Sequence, residues 1–187
     1  MGGRRLNVRR GAGFRWRNPG RIVPSGATAR VWPRVFLPFA LGYFLSYALR
    51  TANAVIAPDL TRELSLSASD LGLLTSAYFF TFGAFQIPLG VLLDRYGPRR
   101  VEAALLVCCA AGAAMFAAGT SSTQLIAGRA LIGLGVSACL MASFKAFHQW
   151  FPADRQASLT GAIMVSGTAG SLSSSTPLEW ALPIIGW

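Results

Sequence analysis

An all-α membrane protein is the fold class that three features of this 187-residue chain predict. It is 53% hydrophobic and only 13% charged, with a mean hydropathy of +0.47, whereas an ordinary soluble domain carries about 25% charged residues. Uncharged runs recur along it: the 23 residues 71–93, the 26 residues 103–128 and the 23 residues 156–178 hold no charge at all. About 20 apolar residues of helix cross a hydrocarbon core of about 30 Å. No β-barrel alternation is present, and lipid admits only helices and closed barrels. An ordinary soluble enzyme is excluded.

The first element is a basic tail, residues 1–34, with nine of the 17 Lys and Arg residues and no acid. It has no apolar stretch long enough for a signal peptide. It reads as a disordered cytoplasmic tail drawn to anionic lipid. Two alternatives are an organelle-targeting segment and upstream sequence that is not translated; sixteen of the 17 cations being arginine fits the latter. The chain's formal charge of +10 suggests nucleic acid. However, the other 153 residues hold eight cations against seven acids, and a nucleic-acid binder needs its cations on a folded surface. No nucleic-acid partner is expected.

Five transmembrane helices follow, at about 35–58, 71–93, 101–120, 123–148 and 157–178. The first holds only Arg50 and the fourth holds Arg129 and Lys145; the others are uncharged over most of their length. Glycine and alanine are dense within them, which lets helices approach closely in lipid. Cys108, Cys109 and Cys139 fall inside spans and read as small buried apolar residues. His148, at the inner end of the fourth helix, reads as interfacial. Nothing here has metal-ligand spacing or a nucleophile with its base, so no cofactor, no metal and no enzyme activity are expected.

Loop charge sets the orientation. The tail carries +9; between the first two helices Asp59, Arg62, Glu63 and Asp70 sum to −2; between the second and third, Asp94, Arg95, Arg99, Arg100 and Glu102 sum to +1. The third-to-fourth connection is uncharged, and Lys145, Asp154 and Arg155 flank the next. Cations alternate with the turns of the chain, which places the N-terminus in the cytoplasm of a multi-pass protein of the cell membrane.

The second loop reads Gly90-Val-Leu-Leu-Asp94-Arg95-Tyr96-Gly97-Pro98-Arg99-Arg100. Gly90 lets the helix end close to a neighbour, Gly97 supplies a position for positive φ, and Pro98 suits the first turn of the next helix. Asp94 is expected against a helix N-terminus, where its charge is favoured. This stretch resembles the G-x-L-x-D-R-x-G-x-R-R signature of the major facilitator superfamily. Arg129-x3-Gly133-x-Gly135 is similar to that family's signature in its fourth helix, and Trp150-Phe151-Pro152 with Arg155 to its 4–5 loop. Tyr47-x2-Arg50-x2-Asn53-x3-Ala57-Pro58 and Gln86-Ile87-Pro88-x-Gly90 resemble its organic-anion and sugar-acid symporter branch. The resemblance covers about residues 35–187.

It implies a transporter of twelve helices in two six-helix halves, of which this chain is the N-terminal half, truncated before helix 6 at Pro183-Ile-Ile-Gly-Trp187. Such a piece is expected to be a fragment of a secondary-active transporter of a small organic solute, an anion by branch, and to move nothing by itself. Its partners are then the lipid bilayer, the solute and the missing C-terminal half. The resemblance gives the Gly90–Arg100 loop the role of a conformational latch. A non-transporting scaffold or regulatory subunit is the alternative, and an Arg-tailed nucleic-acid or lipid-surface binder a third reading.

A charge inside a span costs about 2.5–3.5 kcal/mol, so Arg50 needs a reason. It lies 15 residues into its helix, roughly 22 Å of rise, among leucine and tyrosine neighbours that cannot neutralise it. One reading is a cationic post for a carboxylate or phosphate, its fork giving two parallel bonds, with Tyr47, Asn53, Tyr43 and Gln86 completing a polar lining. The other is a packing arginine bonded to backbone carbonyls. Arg129 reads as structural or as linked to proton coupling. Two departures bear on coupling: Leu49 and Val136 stand where proton symporters of the branch often carry Asp and Glu. Asp94 and Glu102 are expected at the cytoplasmic edge, leaving no carboxylate inside the spans. Coupling then falls to the other half, or the parent is a facilitator or exchanger. The glycine-proline signature of drug antiporters is absent after Gly167-Thr-Ala-Gly170.

Overall fold

A computed structural model describes residues 28–185. Of the expected tail, residues 1–27 lie outside the described residues. Among the described residues there is no strand, and the helices are α1 (Thr28–Leu64), α2 (Ala68–Ala84), α3 (Gln86–Tyr96), α4 (Pro98–Ala117), α5 (Ser122–Val136), α6 (Cys139–Trp150), α7 (Ala153–Ser173) and α8 (Thr176–Ile185).

These pieces cover the stretches of the five expected helices, and four of the five differ from expectation. The first helix starts at Thr28 rather than near 35, so residues 28–34 are helix and not tail. The second is bent by 46° at Phe85, between α2 and α3, and the fourth breaks at Ser137 and Ala138, between α5 and α6. The fifth ends at Ser173, and α8 follows as a sixth helical segment. Trp32–Leu64, Pro98–Ala117 and Ser122–Trp150 are each long and apolar enough to cross a membrane, and the bent α2–α3 pair makes a fourth. At 21 residues α7 is long enough, but its serines, threonines and glycines keep it less apolar.

The helix ends follow local chemistry. At the start of α2 the Ser67 hydroxyl accepts from the Asp70 N–H, while the Asp70 carboxylate accepts from the Ser67 N–H at 2.9 Å. This reciprocal cap satisfies two donors that a helix start leaves without partners. Between α3 and α4, Gly97 has φ +81°, which only glycine adopts without strain, and Pro98 opens α4.

Two groups of helices carry the packing: α2 and α4 against α5, and α7 against α1. Within the first, a side chain on Gly133 would overlap the Tyr78 carbonyl, and one on Gly135 would overlap the Cys109 backbone. Backbones touch there, and the Thr81 hydroxyl uses the proximity to donate to the Ala130 carbonyl at 2.8 Å. Between α1 and α7, Thr51 and Ser171 share a hydrogen bond of 2.8 Å. Leu60, Leu74, Tyr78, Leu125, Phe147 and Ile163 form the fully buried core. Cys109 and Cys139 are buried as expected, and Cys108 is half-buried; all three are free thiols. Phe80, Ile87 and Val91 are largely exposed, a face suited to lipid or to further helices.

Candidate functional site

Two arginines from different helices meet on one aromatic ring. Arg50 leaves α1 one turn after Tyr47, and its guanidinium lies 5.0 Å from that ring's centroid. Opposite, α2 presents Tyr78, Phe79 and Phe82, with centroids at 5.7, 5.4 and 5.6 Å. Four rings therefore surround one charge. Each desolvated cation–π contact is worth about 1–2 kcal/mol, so two or three offset the about 2.5–3.5 kcal/mol of placing a cation in a span. Its neighbours do not neutralise Arg50; they leave the charge intact and hold it by their π faces. None of its nitrogens donates to a described residue; Nε is buried without a partner, and no described carboxylate pairs with it. The fork is left with capacity for an anion.

Arg129 is placed differently. It is 4% exposed on α5, its Nη1 donates to the Leu49 carbonyl on α1 at 3.1 Å, and its guanidinium stands 4.9 Å from the Tyr78 centroid and 5.9 Å from that of Phe116. Its contacts tie α1, α2 and α4 to α5. Gly133, one turn later, admits α2 at Tyr78, and Gly135 admits α4 at Cys109. Tyr78, fully buried with no partner for its hydroxyl, is the residue that sequence reasoning missed. The pattern Tyr78-Phe79-x2-Phe82, facing a span with a lone arginine, is the signal that carried it.

Other expected lining residues fall on both sides of this cluster. The Tyr43 hydroxyl donates to the Tyr47 hydroxyl at 3.3 Å, their rings 5.0 Å apart, so the pair continues from Arg50 along α1. Asn53 is buried with its Oδ1 unpartnered. Gln86 is turned elsewhere by the bend at Phe85. Its amide donates to the Ser137 carbonyl at 3.2 Å, at the break between α5 and α6. It lines a separate concavity of about 280 Å³ with Gly90, Asp94, Met141 and Lys145.

In the loop, Asp94 forms an ion pair with Lys145 of α6. This corrects its expected seat at a helix N-terminus: it sits in the last turn of α3, where a helix's partial charge is negative, and a cation across the concavity serves it better. Arg95 lies over the Tyr96 ring at 5.5 Å, Arg99 and Arg100 are exposed, and nothing stands within 4 Å of a side chain added at Gly90. Glu102, expected at the cytoplasmic edge, stands near the start of α4 but is enclosed by its neighbours. It is 5% exposed, so one carboxylate does lie within the helical bundle.

The sequence profile of the Major Facilitator Superfamily matches residues 39–187. The hexuronate transporter of Bacillus subtilis (strain 168) is 32% identical over 158 residues, covering 80% of this chain and 35% of that protein. The galacturonate transporter of Dickeya chrysanthemi is 27% identical over 151 residues, 79% of this chain and 43% of its own length. A probable sulfoacetate transporter of Cupriavidus necator is 30% identical over 112 residues, 60% of this chain and 26% of its own. The chain thus spans less than half the length of these relatives.

Proposed function

Because the chain belongs to the Major Facilitator Superfamily, we propose that it supplies the first helices of a secondary transporter for a small organic anion, working with the further helices that its longer relatives possess. Arg50 is the cationic post. The observation that carries this reading is its setting: four aromatic rings and, among the described residues, no carboxylate paired with it and no hydrogen bond from its nitrogens. A carboxylate or sulfonate entering there gains charge-assisted, bidentate bonds that no described residue has taken. The hexuronate, galacturonate and sulfoacetate of the relatives' names are all anions, which supports the same class.

In this reading Tyr43, Tyr47 and Asn53 line the route, Arg129 holds its wall together, and the Gly90–Arg100 loop with the Asp94–Lys145 pair latches one conformation of an alternating-access cycle. The N-terminus faces the cytoplasm, and the chain alone moves no solute because a route between two halves needs both. Uptake of labelled sugar acids and sulfonates by the assembled transporter tests it, wild type against Arg50→Ala and Arg50→Lys. Loss of at least tenfold in Arg50→Ala with partial retention in Arg50→Lys is the expected result; uptake unaltered in both removes Arg50 from the site.

A further inference from the structure

Glu102 is a buried acid that the anion site does not use. The chain has seven Asp and Glu residues, and this one alone is buried. It is the fifth residue of α4, about 6 Å along the helix from Pro98. Its Oε1 is buried with no hydrogen-bond partner, and no described cation is within ion-pair distance. The space it occupies exists because position 42 of α1 is glycine: a side chain there would overlap the Glu102 carboxyl, with Leu106 close behind at 3.7 Å.

The charged and titratable groups on the elements packed against it give it no counter-charge among the described residues. On α1, the Tyr43 hydroxyl is bonded to Tyr47. On α3, Asp94 is held by Lys145 of α6, and Arg95 lies over Tyr96. On α5, Arg129 is bonded to the Leu49 carbonyl. From α6, the Cys139 thiol is within electrostatic reach but carries no positive charge, and Arg99 and Arg100 of α4 itself point to solvent. An ionised carboxylate without a partner in such a place costs several kcal/mol, and the inexpensive escape is to bind a proton.

We propose that Glu102 is a proton-binding site of this chain. Its carboxylate takes a proton from water, forming the O–H bond of a carboxylic acid, when α1 lies over it at Gly42, and returns that proton to water when the contact opens. No other reactant is involved. This supplies the titratable group that Leu49 and Val136 do not. Its use in driving solute movement rests on the transporter reading; the bound proton does not.

The test is infrared spectroscopy of the whole chain in lipid nanodiscs at neutral pH, with ¹³C-labelled glutamate. Glu63 and Glu179, the other two glutamates, are exposed. The expected result is a protonated-carboxyl C=O band in wild type that shifts with the label and on deuteration, is lost in Glu102→Gln and persists, displaced, in Glu102→Asp. Absence of a label-sensitive band in wild type overturns the proposal whether or not the variants fold, and so does its full survival in a folded Glu102→Gln. Failure of Arg50→Ala to impair anion uptake leaves this band untouched, so the two readings fail separately.

Discussion

The guanidinium of Arg129 stands 4.9 Å from the centroid of the Tyr78 ring, and that ring is completely buried with its hydroxyl unpartnered. The π face, not the phenol oxygen, is the part of Tyr78 that the fold uses. Tyr78→Phe is therefore expected to shift stability by no more than about 1 kcal/mol, since it removes a polar atom that has no partner. Tyr78→Ala opens a cavity and strips both arginines of a ring, and is expected to cost about 3–5 kcal/mol. Thermal unfolding in detergent separates the two.

The two arginines should respond in opposite ways to the same change. Arg129→Met removes the hydrogen bond to the Leu49 carbonyl and the cation–π contacts with Tyr78 and Phe116 that join α5 to its neighbours, at about 1–3 kcal/mol. Arg50→Met removes a charge whose Nε is buried without a partner and which bonds to no described residue, along with the about 2.5–3.5 kcal/mol cost of placing it, so the lost cation–π contacts are largely offset. Thermal stability of the Arg50 variant is expected at or above wild type, with that of Arg129→Met below it. A reversed order would make Arg50 the structural arginine.

Gly133→Ala is expected to destabilise by about 1–3 kcal/mol through overpacking, because the new methyl meets the Tyr78 carbonyl, a backbone atom that moves only with the whole of α2. Gly161, with nothing within 4 Å, is the control: Gly161→Ala is expected to stabilise its helix by roughly 0.5–1 kcal/mol. Melting temperatures of the two variants, compared in one detergent, check this.

The Asp94–Lys145 pair sets α3 against α6, but the Asp94 side chain is 80% exposed, and such pairs are worth about 0–1 kcal/mol. Asp94→Asn is expected to leave unfolding within that range. Asp94→Cys with Lys145→Cys, in a background lacking the three native cysteines, is expected to cross-link α3 to α6 with a short bifunctional reagent. No product on a gel would mean that the two residues do not meet.

Charge-free length made the helices legible, because a span must be long and uncharged wherever it packs. The Gly97–Pro98 corner was equally readable: positive φ and the first turn of a helix are local demands, met by local residue types. What escaped depends on which residues face each other. Nothing within α1 says that Arg50 will meet Tyr78, Phe79 and Phe82, nor that Gly42 leaves room for Glu102, which its place beside a charged loop puts at the cytoplasmic edge. The bend at Phe85 escaped as well, since Gln86-Ile87-Pro88 continues an apolar run without a break in composition, and it turned Gln86 from Arg50 toward Ser137. Asp94 was misplaced because its partner lies 51 residues away.

The aromatic enclosure of Arg50 draws one wall from α1 and three from α2, and the Arg129 bond to Leu49 crosses the same divide between the α1–α7 pair and the α2–α4–α5 cluster. Any rocking of one group past the other must peel rings from the first guanidinium while straining the tether of the second. In the proposed function, such a movement would uncover the cation just where the solute is expected to meet it. A visiting anion that grips the fork as the rings withdraw would repay the loss at the moment it arises, linking occupancy to motion without a separate sensor.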